Sequence, residues 1–160
     1  MPAARLKVGL DTSCLVALFA VDHVVHALTL SACERLRSQN AQFVVPTHSL
    51  LECFSVLTRM PPSYRMSPDE VERLLVENFS EDAEVPGVTP AIVWSCMREL
   101  VLSGVARGGM IYDAVIAHAA FQAGAAVILT WNVRHLVLVA PAGLEVSTPA
   151  DYSARAPRIH

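Results

Sequence analysis

Three short apolar runs restrict the folds open to this chain. Val8-Gly9-Leu10, Phe43-Val44-Val45 and Val127-Ile128-Leu129 are continuous rather than alternating, the pattern of strands buried on both faces. Parallel sheets provide such burial, because each parallel connection returns through a crossover that is usually a helix lying on the sheet. Strands are expected at residues 6–10, 43–46 and 126–130, with a weak one at 83–85 and a last short one at 144–146. The expected fold class is α/β, a three-layer α/β/α sandwich with a short, mostly parallel central sheet.

Helix signals fill the intervals. Thr12 or Ser13 caps a short helix through Ala20, and residues 24–38 carry Leu28, Ala32 and Leu36 on one stripe with Glu34, Arg35 and Arg37 outside it. Asn40 closes that helix, and Thr47 opens another that stops before Pro61-Pro62. Ser67-Pro68-Asp69-Glu70 combines a capping serine, proline at the first helical position and an acid where a capping box needs one; that helix runs to Phe79. Thr89-Pro90 starts a helix ended by Gly104, and beyond the loop Arg107-Gly108-Gly109 a further helix spans Tyr112 to Ala123.

A chain of 160 residues makes one domain, expected over 1–148, with 149–160 as an extended C-terminal tail. Hydrophobic residues are 53% and charged residues 17%, more apolar surface than a small monomer needs, so self-association is expected. Net charge is -3, with Lys7 the single lysine, which excludes a general nucleic-acid coating protein and confines any nucleic-acid contact to a local patch. Cys14, Cys33, Cys53 and Cys96 form no CxxC pair and read as reduced, buried thiols of a cytoplasmic protein. Lys7 and Asp11 interrupt the first apolar run, so no export signal is expected; His118, Gln122 and Gly124 break the stretch from Ala114 to Trp131, so no membrane span is expected either.

Four polar side chains stand in these apolar surroundings: Asp11 directly after the first strand, Glu52 and Asp113 on largely apolar helices, and Asn132 just after the fourth strand. Ligands of open α/β sheets bind outside the carboxyl ends of the strands, so sequence distance does not keep these residues apart. Crowded carboxylates repel one another unless a hard divalent cation takes them as ligands, and Mg²⁺ or Mn²⁺ suits an oxygen-only set. Such a cation polarises a phosphodiester and activates a water for attack on phosphorus. Glu52 serves in that scheme as ligand or base, Asn132 places a water without adding charge, and Ser13 and Thr130 support from behind. Each residue also has a plainer reading: Asp11 as helix N-cap, Asp113 as partner of a helix dipole, Glu52 on a solvent stripe with His48, Ser49 and Ser55, Asn132 as a turn residue.

Asp11-Thr12-Ser13-Cys14-Leu15, Glu52 after Thr47-His48-Ser49-Leu50-Leu51, the run Gly108 to Ala117 around Tyr112-Asp113-Ala114, and Leu129-Thr130-Trp131-Asn132-Val133-Arg134-His135-Leu136 resemble, in order and spacing, the successive motifs of PIN-domain ribonucleases, in particular VapC toxins of bacterial toxin–antitoxin pairs. The resemblance implies a Mg²⁺- or Mn²⁺-dependent endoribonuclease of a type II toxin–antitoxin system, with Asp11, Glu52 and Asp113 as metal ligands. Asn132 joins these three as a catalytic candidate. It also implies an RNA substrate, a homodimer and a small antitoxin that occludes the site. One departure stands out: many members carry an aspartate near the position of Asn132, so this site is less negative and a second metal is in question.

Arg59, Arg65, Arg107 and Arg134 flank the site segments and are candidates for phosphate contacts. Trp131 has the chemistry to stack on an unpaired base, although a buried or dimer-facing tryptophan is the favoured reading. Competing functions fare worse. A phospho-receiver needs a lysine at a late strand end, and a dehalogenase-type phosphatase needs an aspartate where Ser13 stands. His48 and Glu52, spaced to share a helix face, lack further zinc ligands by spacing. The remaining alternative is a catalytically inert PIN-like module that binds RNA or protein.

Overall fold

The computed structural model describes residues 4–104 and 108–155. Four strands, β1 (Lys7–Leu10), β2 (Gln42–Val44), β3 (Val127–Leu129) and β4 (Glu145–Ser147), form one sheet in the order β2-β1-β3-β4. All three pairings are parallel, with Val8 opposite Phe43, Gly9 opposite Ile128 and Leu129 opposite Ser147. The weak strand expected at 83–85 shrinks to a single parallel bridge between Val44 and Glu84, since Pro86 follows at once and cannot donate to a ladder.

Eight helices connect and cover the sheet among the described residues: α1 (Thr12–Phe19), α2 (His26–Ser38), α3 (Thr47–Arg59), α4 (Pro68–Phe79), α5 (Pro90–Ser103), α6 (Met110–Gln122), α7 (Val133–Leu136) and α8 (Pro149–Ser153). Alternation along the strands sorts the core. Val8, Leu10, Phe43, Val127 and Leu129 point to one face, where they meet Leu15 of α1, Leu36 of α2, Leu57 of α3 and Val71 and Phe79 of α4. Val44 and Ile128 point to the other, against Ile116, Ala117 and Ala120 of α6 and Leu136 of α7, with α5 packed on the outside of α6 through Ile92 and Cys96. Gly9 allows α6 to lie this close: a Cβ there would stand 3.1 Å from Ile128 Cγ1 and 3.3 Å from Ala120 Cβ.

Several ends differ from the sequence expectation. Ser67 makes no side-chain cap bond, so α4 starts on the fixed φ of Pro68 and the charges of Asp69 and Glu70, whereas Thr89 Oγ1 does accept from Ile92 N–H at 3.3 Å. The stretch expected to begin an extended tail instead forms α8: Thr148 Oγ1 accepts from Asp151 N–H, and Arg35 of α2 donates to the Ser153 carbonyl. The four cysteines are free and buried, and burial pushes the Cys53 thiol up to about 12. No helix among the described residues is long and apolar enough to cross a membrane.

Candidate active site

Asp11 leaves β1 at the carboxyl edge of the sheet, and its backbone N–H still bonds the Leu129 carbonyl at 3.1 Å, so the strand positions it rigidly. It occupies the N-cap position of α1, yet its side chain caps nothing. Instead Oδ2 accepts the hydroxyls of Ser13 at 2.8 Å and Thr130 at 2.7 Å, and the residue is only 4% exposed. The two hydroxyls are spent in one direction. Each gives its single proton to Asp11 and accepts a backbone N–H in return, Ser13 from Trp131 at 2.9 Å and Thr130 from Asn132 at 2.9 Å. A buried carboxylate thus organises the loop after β3.

Thr12, expected as a cap, lies inside α1, and its hydroxyl crosses to α3 to bond Glu52 Oε2 at 2.7 Å. The other Glu52 oxygen lies 3.4 Å from His48 Nε2 one turn earlier, an ion-pair distance without hydrogen-bond alignment. His48 in turn stacks on Tyr112 of α6, ring centroids 5.0 Å apart and planes 8° from parallel. Asp113, beside that tyrosine, is where the charges meet. Burial, then the charges of Asp11 and Glu52, push its carboxyl up from 3.8 to about 6, against a weaker pull downward from His135 and His48. A carboxylate that merely complemented a helix dipole would shift the opposite way.

The structure therefore brings Asp11, Glu52 and Asp113 into one electrostatic cluster. Asn132 adjoins it through its backbone, as N-cap of α7, with a side chain that makes no cap bond. Of the candidate phosphate contacts, Arg134 is exposed on α7 next to His135, and Arg59 is held on α3 by Ser55. Arg65 lines a separate groove of about 580 Å³ with Phe19, Met60 and Tyr64, and Arg107 lies outside the described residues. Trp131 is half-buried, packs on the core and donates Nε1–H to Thr29 Oγ1 at 2.9 Å.

Residues 8–137 match the PIN domain family. This chain belongs to the PIN domain family. Among its relatives, ribonuclease VapC40 of Mycobacterium tuberculosis (strain CDC 1551 / Oshkosh) is 32% identical over 124 residues, 78% of this chain and 85% of that protein. Ribonuclease VapC27 of Mycobacterium tuberculosis (strain ATCC 25618 / H37Rv) is 28% identical over 114 residues, 71% of this chain and 77% of that protein. Two solved structures share the fold at low identity. One is Mycobacterium tuberculosis VapC20, described as a sarcin-ricin loop cleaving toxin, with TM-score 0.63, 16% identity and coverage of 82% of this chain and 94% of that one. The other is VapBC2 from Rickettsia felis bound to a promoter DNA fragment, with TM-score 0.63, 14% identity and coverage of 89% and 98%. The chain is a VapC-type PIN domain.

In this PIN domain the three acids have the donor set of a hard-cation site. All offer oxygen, they repel one another, and among the described residues no lysine or arginine is paired with them. As the side chains stand, no three of the described His, Cys, Asp and Glu residues close around a single point. The repulsion at Asp113, which His135 and His48 offset only in part, is the feature that a divalent ion would relieve, so the chemistry of the donor set fits that group. Ser13 and Thr130 stand behind Asp11, as their positions in the sequence suggest, whereas the Thr12 bond to Glu52 and the His48–Tyr112 stack join segments far apart in the chain and leave no local signal.

Proposed function

We propose that this PIN domain is a metal-dependent endoribonuclease that hydrolyses RNA phosphodiesters and acts as the toxin of a type II toxin–antitoxin pair. The observation that carries this reading is the raised carboxyl of Asp113 against Asp11 and Glu52, at the carboxyl edge of a parallel sheet, in a chain with VapC ribonuclease relatives. Asp11, Glu52 and Asp113 would hold Mg²⁺ or Mn²⁺. An ion held there would offset the charge of a phosphodiester and make a water more acidic.

The chain's own residues supply the rest. Ser13 and Thr130 fix the plane of Asp11 by aiming both hydroxyl protons at Oδ2. Thr12 holds Oε2 of Glu52, which leaves the other oxygen to meet a ligand or take the proton of the attacking water. Asn132 would position a water without adding charge, and the exposed Arg134 would meet a phosphate of the strand.

A small antitoxin that occludes the site is the expected partner, in keeping with the VapBC assemblies that share the fold. Homodimerisation is supported by the outer face of α5, where Trp94, Val101 and Leu102 are 68%, 80% and 79% exposed. A toxin that reaches cellular RNA would act in the cytoplasm. An inert binding module has no use for three repelling acids, which speaks against that alternative.

The test is cleavage of total cellular RNA by purified protein with Mg²⁺ or Mn²⁺, beside Asp113→Ala, with new 5′ ends mapped by sequencing. Discrete cuts that vanish in the variant and in EDTA are expected. RNA left intact by the wild type under every metal condition would overturn the nuclease reading.

A further inference from the structure

One aromatic ring at the rim of the acid cluster keeps a face in water. Tyr112 stands in the first turn of α6, directly before Asp113, and is 51% exposed. Its neighbours Ala114 and Val115 turn inward to meet α5, whereas Tyr112 turns outward to lie flat on His48. The imidazole lies on α3 with its Nε2 3.4 Å from Glu52 Oε1. One face of the ring thus has a parallel partner while about half of the residue stays exposed, one residue from a carboxylate of the site.

We propose that the stacked pair His48–Tyr112 is a platform for one unpaired nucleobase of the RNA strand, adjacent to the phosphate presented to Asp11, Glu52 and Asp113. This deepens the nuclease reading above and rests on it. Aromatic faces take up bases that have left a helix, as in loops and bulges, and do so with little regard to base identity. Trp131, the other aromatic next to the site, cannot serve, because its ring packs on the core and its Nε1–H is committed to Thr29. The chain also needs such a grip. With twelve Lys and Arg outweighed by fifteen Asp and Glu, the chain has no broad basic field to hold a polyanion, so a neutral contact to a base carries a larger share of the affinity. A weak dependence of binding on salt follows.

The platform is tested with the full chain carrying Asp11→Asn, so that RNA is bound and not cut. The probe is a single-stranded oligoribonucleotide spanning a cut mapped with the wild type, intact or with one abasic residue at each position around the cut; affinity is read by fluorescence anisotropy in Mg²⁺. One abasic position should weaken binding about tenfold, and that loss should disappear when Tyr112→Leu is added and persist with Tyr112→Phe. A loss that persists in Tyr112→Leu, or no loss at any position, overturns the platform while leaving the nuclease reading intact. Conversion of a dimer to a monomer by Tyr112→Leu, read by sedimentation, would assign the ring to a protein interface and also overturn it. A wild type that cuts no RNA fails the nuclease reading, and the platform falls with it.

Discussion

Replacing Asp113 by asparagine removes one of three crowded carboxylates and keeps the shape of the side chain, so the metal-free protein should gain stability. Burial, Asp11 and Glu52 together raise this carboxyl from 3.8 to about 6. An acid whose folded pKa lies above its unfolded value opposes folding only when ionised. The penalty is absent below pH 3.8, grows through the interval and is complete above pH 6. About two pH units at about 1.4 kcal/mol each give an upper figure of about 3 kcal/mol. Because Asp113 is only partly buried, solvent screening reduces this to about 1.5 kcal/mol. In a domain of this size that corresponds to a rise in Tm of about 3–6 °C. The assay is thermal unfolding by circular dichroism in EDTA, wild type beside Asp113→Asn, from pH 8 down to pH 4. The variant should melt higher at pH 8, and the gap should hold down to about pH 6 and narrow from there towards pH 4. Saturating Mn²⁺ should then reverse the order, since an ion at about 100 times its Kd stabilises the wild type by about 2.7 kcal/mol and gains less from a site short of one ligand. A variant that melts no higher than wild type at pH 8, or a gap indifferent to pH, would refute the repulsion on which the site rests.

Further consequences are open to simple measurements. Thr130→Val deprives Asp11 of a donor and the Asn132 N–H of its acceptor, so Mn²⁺ affinity should fall about 10–100-fold by calorimetric titration, with about 1–3 kcal/mol of stability lost in denaturant unfolding. Gly9→Ala forces a methyl against Ile128 and Ala120 and should destabilise by about 1–3 kcal/mol, read as a lower urea midpoint at unchanged slope. Cleavage of a mapped RNA should decline as pH falls below 6, when protons compete with the ion for the carboxylates, and extra Mn²⁺ should restore part of it; a rate insensitive to EDTA would contradict metal catalysis outright.

The layers and the parallel sheet were legible because Val8 to Leu10 and Val127 to Leu129 are apolar without alternation, and that pattern has few other uses. Asp11 was legible for the same reason, as a charge placed where a buried strand ends. Local signals failed where tertiary partners outbid them. Thr12 and Ser67 have the composition of caps, but Thr12 finds Glu52 on another helix and Ser67 makes no cap bond at all. Residues 149–153 look like a loose tail until Arg35 of α2 is there to bond the end of the helix they form. No spacing rule connects His48 with Tyr112, which meet only because α3 and α6 both begin at the carboxyl edge of the sheet.

The tether between Trp131 and Thr29 has a practical consequence. The chain has two tryptophans: Trp94 faces water, while Trp131 sits half-buried on the loop that Asp11 organises, its indole N–H bonded within the protein. With Trp94→Phe, all remaining indole emission comes from the floor of the acid cluster. Its wavelength and quenching then report ion uptake, RNA arrival or loss of the Ser13–Asp11–Thr130 lattice in real time, without a dye or a label.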